Sequence, residues 1–256
     1  MSAPPVARGR LFDQVAQLYD EVRPDYPEGF YVAIEAMTGS LQGQHVLDLA
    51  AGSGVATRQL LARGADVVAL DPGRPLLTQL RSRSPAAQCV EARAESLPFR
   101  DHVFDVATCA TAWHWVEADL AAKELRRVLR PGGFVALWWA NHRRDDTIPW
   151  ESAQGAVHDR WSYRTGSRPP HLVGVHPRDA ARHLRSVGWK VLVETEFRWS
   201  RVVPTEVHLR VLRTHSDTLA LGGTAEQMLA EVADALAPFH EVEERLWGPL
   251  VVAQIG

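Results

Sequence analysis

Residues His45–Leu60 read HVLDLAAGSGVATRQL. The opening HVLDLA has the length and apolar character of a short buried strand. The chain then passes an acid, Asp48, and the small residues Ala50, Gly52, Ser53 and Gly54. From there it enters SGVATRQLLARG, a helical pattern that Gly64 stops. An acid and a run of minimal side chains at the point where a strand becomes a helix leave room for a ligand to approach the backbone. The first turn of the helix adds N–H groups that have no partner within the helix.

The same rhythm continues outward from this stretch. DVVALD at 66–71 predicts a second strand and 74–83 a helix. AQCVEA at 87–92 and FDVATCA at 104–110 predict a third and a fourth strand. A helix follows over 118–129, with Leu120, Leu125, Val128 and Leu129 on one stripe, and RPGG turns it into a fifth strand, FVALWWA, at 134–140. Short buried strands alternating with helices predict an α/β fold, a doubly wound, mostly parallel sheet with helices on both faces. Upstream, RLFDQVAQLYDEVRPDYPEGFYVAIEAM predicts two helices separated at Pro24 and Pro27. Downstream, the region rich in Arg, His, Pro and Gly predicts helical stretches, GWKVLVETEFRWSRV a late strand, 205–240 helices and GPLVVAQI a closing strand. The expected organisation is one domain over 1–256. It has an N-terminal helical cap over 1–40, a cofactor-binding core over 44–141, a substrate cap over 142–240 with a late strand near 189–199, and a final strand over 248–255.

At 256 residues the chain is long enough for a full core, and 46% hydrophobic with 23% charged residues is ordinary for a globular protein. A formal net charge of −3 argues against a dedicated nucleic-acid binder. No apolar run reaches the roughly 20 residues of a membrane span. The beginning MSAPPVARGR has no apolar signal core, and two cysteines, Cys89 and Cys109, do not make a disulfide framework, so a cytoplasmic location is expected. The eleven histidines include no HExxH and no paired Cys/His spacing; His171 and His176, five apart, are the nearest approach, so no metal is expected. Oligomeric state is not legible.

An open parallel sheet binds ligands at the carboxyl ends of its strands, near the point where strand order reverses. Two ligands compete for the turn after Asp48. A dinucleotide would use G-x-G-x-x-G, but the third position here is Thr57, and a carboxylate sits badly beside a pyrophosphate. S-adenosylmethionine, with its ammonium group and cationic sulfur, suits D-x-A-x-G-x-G better. Asp71 at the end of the second strand supplies a bidentate acceptor for two ribose hydroxyls in either case.

Taken in order, VLDLAAGSG, VVALDP, EARAESLPFRDHVFDVATCA and ELRRVLRPGGFVAL resemble the motifs of class I S-adenosylmethionine-dependent methyltransferases. FDQVAQLYDEVRPDYP resembles the N-terminal cap of the small-molecule branch that includes ubiquinone/menaquinone-biosynthesis and trans-aconitate methyltransferases. The resemblance covers residues 12 to about 141. It implies a Rossmann-like, seven-stranded sheet, S-adenosyl-L-methionine as cofactor, S-adenosyl-L-homocysteine as product and a small-molecule acceptor. It further implies that Asp48, Ala50, Gly52 and Gly54 surround the methionine part, Asp71 with Pro72 the ribose, Leu76 the adenine face, and Ala94 with Glu95 the adenine edge. Ala110 and Thr111 would line the sulfonium side, and Tyr19 and Arg23 would reach the cofactor carboxylate.

Methyl transfer is an in-line displacement that needs alignment first and a base only for some acceptors. His114 in TAWHWV, just past the fourth strand, is the candidate base; alternatively it bonds a neighbouring loop while Trp113 and Trp115 wall the pocket. Trp139, Asn141 and His142 after the fifth strand, and His215 in the cap, are further candidates for substrate contact. The expected activity is methylation of a small organic acceptor, at oxygen before carbon or nitrogen. An NAD-linked oxidoreductase and a non-catalytic S-adenosylmethionine-binding regulatory protein are the alternatives.

Overall fold

The computed structural model of the protein describes residues 10–165 and 176–256; His171 lies outside them. A 3₁₀ turn, Arg10–Val15, leads into α1 (Ala16–Val22), and α2 (Glu28–Thr38) follows the prolines. The core then runs β1 (His45–Leu49), α3 (Val55–Ala62), β2 (Asp66–Asp71), α4 (Arg74–Arg83), β3 (Gln88–Glu91), β4 (Phe104–Ala110), α5 (Ala118–Val128) and β5 (Leu129–Trp138). Beyond it come β6 (Asn141–His142), α6 (Pro149–Thr165), α7 (Ala180–Ser186), β7 (Trp189–Pro204), α8 (Thr205–Leu212), α9 (Ser216–Ala220), α10 (Ala225–Leu236) and β8 (Glu241–Ile255).

The strands form a single sheet in the order β3-β2-β1-β4-β5-β8, with β7 on the far side of β8 and the two-residue β6 beside the other end of β8. It has eight strands where seven are expected, and the additional one is β6. Strands β3, β2, β1, β4 and β5 are parallel, and β8 runs antiparallel to both β5 and β7. The chain winds outward from β1 through β2 to β3, then crosses back to β4, so strand order reverses between β1 and β4. The crevice at their carboxyl ends is where such sheets take ligands.

Two apolar layers flank the sheet. One is built on Leu47, Leu49, Trp113, Leu125, Leu137 and Trp139, the other on Phe30, Tyr31, Ile34, Leu60 and Trp138. Helix α5 buries Ala118, Ala121, Ala122, Leu125 and Val128, while Leu120 is 47% exposed. The expected stripe is therefore corrected: Leu120 and Leu125, five apart, cannot share a face on a 3.6-residue helix, whereas 118-121-122-125-128 can.

The closing strand begins at Glu241, seven residues before the expected 248, and β7 runs to Pro204 rather than 199. Both extensions pair with each other, from Ser200↔Arg245 to Pro204↔Glu241. The early part of β8 buries Val242, Glu244 and Leu246 on one side. A glutamate on that face hides the alternation from a hydrophobicity pattern. Glu244 is held there by Arg201 Nε and by the ring of His208, at 2.6 and 2.7 Å. Helices α6, α8 and α10 close over this ribbon around their own apolar cluster, including Val157, Trp161, Leu212, Leu229 and Val232. Among the described residues no helix is long and apolar enough to cross a membrane.

Candidate active site

The turn after β1 takes the left-handed backbone region three times in five residues: Ala50 at φ 49°, Gly52 at 58° and Gly54 at 91°. The three positions have different reasons. A Cβ placed on Gly52 would meet nothing within 4 Å, so that face of the turn is open to the crevice. A Cβ on Gly54 would come within 2.8 Å of Leu80 Cγ, so Gly54 lets α4 pack against the turn and does not itself line the crevice. Ala50 carries a side chain where the backbone favours glycine, a strain of roughly 1–2 kcal/mol. Thr111, β-branched and at φ 54°, is a second strained residue at the end of β4. Strain at both strand ends marks the crevice as a site the surrounding fold over-determines.

One cavity fills the crevice, with about 1310 Å³ of empty space, open solvent at its mouth included. Tyr19, Arg23, Asp48, Ala50, Gly52, Asp71, Pro72, Leu76, Ala94, Glu95, Ala110, Thr111 and Trp115 all line it. Asp48 is fully buried, with Oδ2 accepting from Thr57 Oγ1 at 2.6 Å and Oδ1 from Thr108 Oγ1 at 2.8 Å. Asp71 Oδ2 accepts from Gly52 N at 2.9 Å and Oδ1 from Gly73 N at 2.7 Å, which ties the turns after β1 and β2 together. Burial pushes both carboxyls up to about 6. Neither makes an ion pair with a cation among the described residues. Glu95 is used internally, accepting from Glu117 N at the start of α5 and from Arg93 Nε.

The N-terminal segment closes one side. Arg23 stacks over the Tyr19 ring and donates to the side chain and carbonyl of Thr214. Phe12 meets Tyr19 and Trp115 edge-on at 5.6 and 5.9 Å. On the other side of β4, Thr111 Oγ1 accepts from Ala140 N and shares a 2.9 Å hydrogen bond with Tyr26 Oη. Sequence reasoning missed Phe12, Tyr26, Arg93 and Leu246 as lining residues, and named His142 only as a lesser candidate.

Five candidates lie behind the wall rather than on it: Trp113, His114, Trp139, Asn141 and His215. Trp113 and Trp139 are fully buried in the apolar layer. Trp139 Nε1 donates to His114 Nδ1 at 3.0 Å. Burial, reinforced by the neighbouring His176, lowers His114 to about 4. A neutral imidazole whose Nδ1 accepts must carry its proton on Nε2, which makes it a donor. This corrects the expectation of a base at His114: its free lone pair is already used by Trp139. Asn141 keeps a buried Nδ2 without a partner among the described residues, and His215 sits behind His142, ring centroids 5.0 Å apart.

Comparison with known proteins follows the same lines. Residues 47–137 match the family described as "Methyltransferase domain". An uncharacterized methyltransferase of Mycobacterium bovis is 38% identical over 148 residues, 57% of this chain and 58% of its own length. A demethylmenaquinone methyltransferase of Renibacterium salmoninarum is 35% identical over 142 residues, 51% of this chain and 60% of its own. The chain thus spans little more than half the length of the curated relatives it matches. Among solved structures, a candidate type II methyltransferase from Anaeromyxobacter dehalogenans superposes with TM-score 0.65 at 27% identity, over 91% of this chain and 97% of that one. The [4+2]-cyclase SpnF shares the fold at TM-score 0.61 and 18% identity, over 100% and 98%.

Proposed function

We propose that this chain, which carries a methyltransferase domain of the class I S-adenosylmethionine-dependent family, transfers a methyl group from S-adenosyl-L-methionine to a small organic acceptor, at oxygen in preference to carbon or nitrogen. The observation that carries the reading is the pair Asp48 and Asp71: two buried carboxylates without cations, on either side of a turn whose Gly52 face is open. That donor set fits a cationic, ribose-bearing ligand. Such a ligand recovers the cost of burying the two charges, which a pyrophosphate would increase.

In this reading Asp71 receives the ribose hydroxyls, Leu76 and Ala94 flank the adenine, and Tyr19 with Arg23 holds the carboxylate. The cofactor, when bound, supplies an electrophilic methyl group on a positively charged sulfur. The chain supplies alignment, for which effective molarities correspond to several kcal/mol of barrier. Thr111, pinned by Tyr26 and Ala140, keeps the end of β4 in one conformation beside Ala110. Phe12, Tyr19 and Trp115 form an aromatic wall that excludes water. Residues 142–240 act as the acceptor's cap. The two cysteines, both free, suit a reducing, cytoplasmic setting.

The NAD-linked alternative is disfavoured by Thr57, whose hydroxyl is committed to Asp48 in the place where a dinucleotide turn packs a glycine. Calorimetry on the full chain tests this: S-adenosylmethionine should bind and NAD should not. Release of S-adenosylhomocysteine with a panel of phenols, acids and amines separates an enzyme from a cofactor-binding regulator. Absence of binding to S-adenosylmethionine overturns the proposal.

A further inference from the structure

The cavity has a second wall, beyond β4, that the cofactor reading leaves unassigned. It is made where β5 ends and β6 begins, by Ala140 and His142, with Leu246 of β8 opposite. Of the ionisable side chains that line the cavity, the others are already committed. Asp48 and Asp71 have both oxygens occupied, Glu95 caps α5, and Arg93 pairs with Glu95. Tyr26 is hydrogen-bonded to Thr111, its phenol pushed well above the ordinary range by burial; Arg23 donates to Thr214, and Tyr19, stacked against Arg23, is assigned with it to the cofactor carboxylate. The ring of His142 is not hydrogen-bonded to any described residue. Its contacts are ring contacts, to His215 at 5.0 Å and His208 at 6.3 Å.

Resting on the methyl-transfer reading, we propose that His142 is the group that takes the acceptor's proton, with His215 as its positioning residue, and that the acceptor is protic, a hydroxyl or a thiol. The acceptor's O–H or S–H bond breaks and an N–H bond forms on an imidazole nitrogen of His142. The freed electron pair bonds the methyl carbon, and the carbon–sulfur bond of the sulfonium breaks with its electrons left on sulfur. The imidazolium then gives its proton to solvent as product leaves.

The charge distribution suits this sequence. Burial lowers His142 to about 4, with His208, Arg23 and Arg201 adding to the effect and Glu244 opposing it, so the ring is neutral when the cationic cofactor is present. His215, whose burial holds it well below the ordinary imidazole range, is neutral beside it. When the methyl group leaves, the cavity loses the sulfonium charge as it gains the imidazolium, so its net charge is unchanged through the step. A carboxylate acceptor would need no such group.

The test uses the full-length wild type, His142→Gln and His215→Asn. Calorimetry with S-adenosylmethionine comes first: binding to wild type with no turnover on any phenol or aromatic thiol overturns this inference alone, whereas no binding overturns the methyl-transfer reading itself. Across substituted phenols and thiophenols of graded acidity, His142→Gln should slow acceptors that are protonated at the assay pH by about 100-fold or more. It should slow those already ionised only a few-fold. An equal loss across the series, or turnover by wild type of carboxylates alone, overturns the assignment. Nitrogen-15 NMR of the wild-type imidazoles, with S-adenosylhomocysteine present, reads the contact without turnover and independently of any variant's folding. The His142 signal should move on adding 4-nitrophenol, and its titration midpoint should shift in His215→Asn. A His142 signal indifferent to 4-nitrophenol overturns the proposal.

Discussion

Thr57 Oγ1 donates to Asp48 Oδ2 at 2.6 Å, and both residues are wholly buried. The threonine that replaces the third glycine of a dinucleotide turn is therefore one of two hydroxyls that hold the β1 carboxylate in place, Thr108 being the other. Thr57→Val keeps the shape and removes the donor, leaving a buried acceptor unsatisfied at a cost of about 1–3 kcal/mol. The melting temperature should fall, and the pH at which cofactor binding is half lost should rise, because the hydroxyl bond favours the ionised carboxylate. Unchanged values for both would show that Asp48 needs no such support.

On the proposed reading, Asp71 and Asp48 set the pH dependence of cofactor binding. Both stand near 6 in the free protein, and a ligand that donates hydroxyls or carries positive charge favours their ionised forms. Binding then expels protons below about pH 6, so affinity is flat above neutrality and falls on acidification through 6, by up to about tenfold per pH unit for each carboxylate. Calorimetry at pH 5 and 7.5, in buffers of different ionisation enthalpy, measures both the affinity and the protons released. Asp71→Asn should weaken binding by about 10- to 100-fold, a loss of roughly 1.4–2.8 kcal/mol. A dissociation constant within twofold of wild type would remove Asp71 from the site.

Two of the three left-handed positions of the turn, Gly54 and Ala50, predict opposite outcomes. Gly54→Ala combines a forbidden backbone region with a clash on Leu80, about 1–2 kcal/mol for the first and about 1–3 for the second. Adding Leu80→Ala should recover the steric part of the stability loss but not the backbone part, which a double-mutant cycle separates. Ala50→Gly should do the reverse and raise stability by a few tenths to about 1 kcal/mol, since relief of strain outweighs glycine's extra unfolded-state entropy. Thermal unfolding of the single variants decides; an Ala50→Gly protein less stable than wild type would show that the strain is absent.

His114 differs from a base in that its Nδ1 lone pair is taken by Trp139. Its pKa is depressed to about 4 when folded and near 6.5 when unfolded, so its contribution to stability is complete above 6.5 and is lost as pH falls toward 4. His114→Gln retains an acceptor for Trp139 and removes the titration. Between pH 7 and 5 the variant should lose less stability than wild type, by on the order of 2 kcal/mol. Turnover at pH 7.5 should stay within a few-fold. A hundredfold fall in rate with cofactor affinity intact would return His114 to the reaction.

The strand ends at Asp48 and Asp71, with the small-residue turn between them, placed the crevice from sequence. Steric rules act locally there: a parallel strand must end in a turn, the turn must spare its backbone, and acids placed at successive strand ends converge because parallel strands end on the same edge. Hence the spacing alone placed Asp48, Gly52 and Asp71 on the crevice, the resemblance added Leu76 and Ala94, and all five line the cavity. Burial and partnership are not local, and only the folded chain decided them. His114 and Trp139 lie 25 residues apart, and their hydrogen bond removes a lone pair that no motif reveals. Glu244 hid the first half of β8, because a glutamate paired with Arg201 and hydrogen-bonded to His208 has the burial of a core residue and the hydropathy of a loop. His142 gained its place facing the cavity from the order of β5 and β8 in the sheet, a relationship between strands more than a hundred residues apart in sequence. Short-range geometry is written in neighbouring residues; which nitrogen stays free depends on what the rest of the chain packs against it.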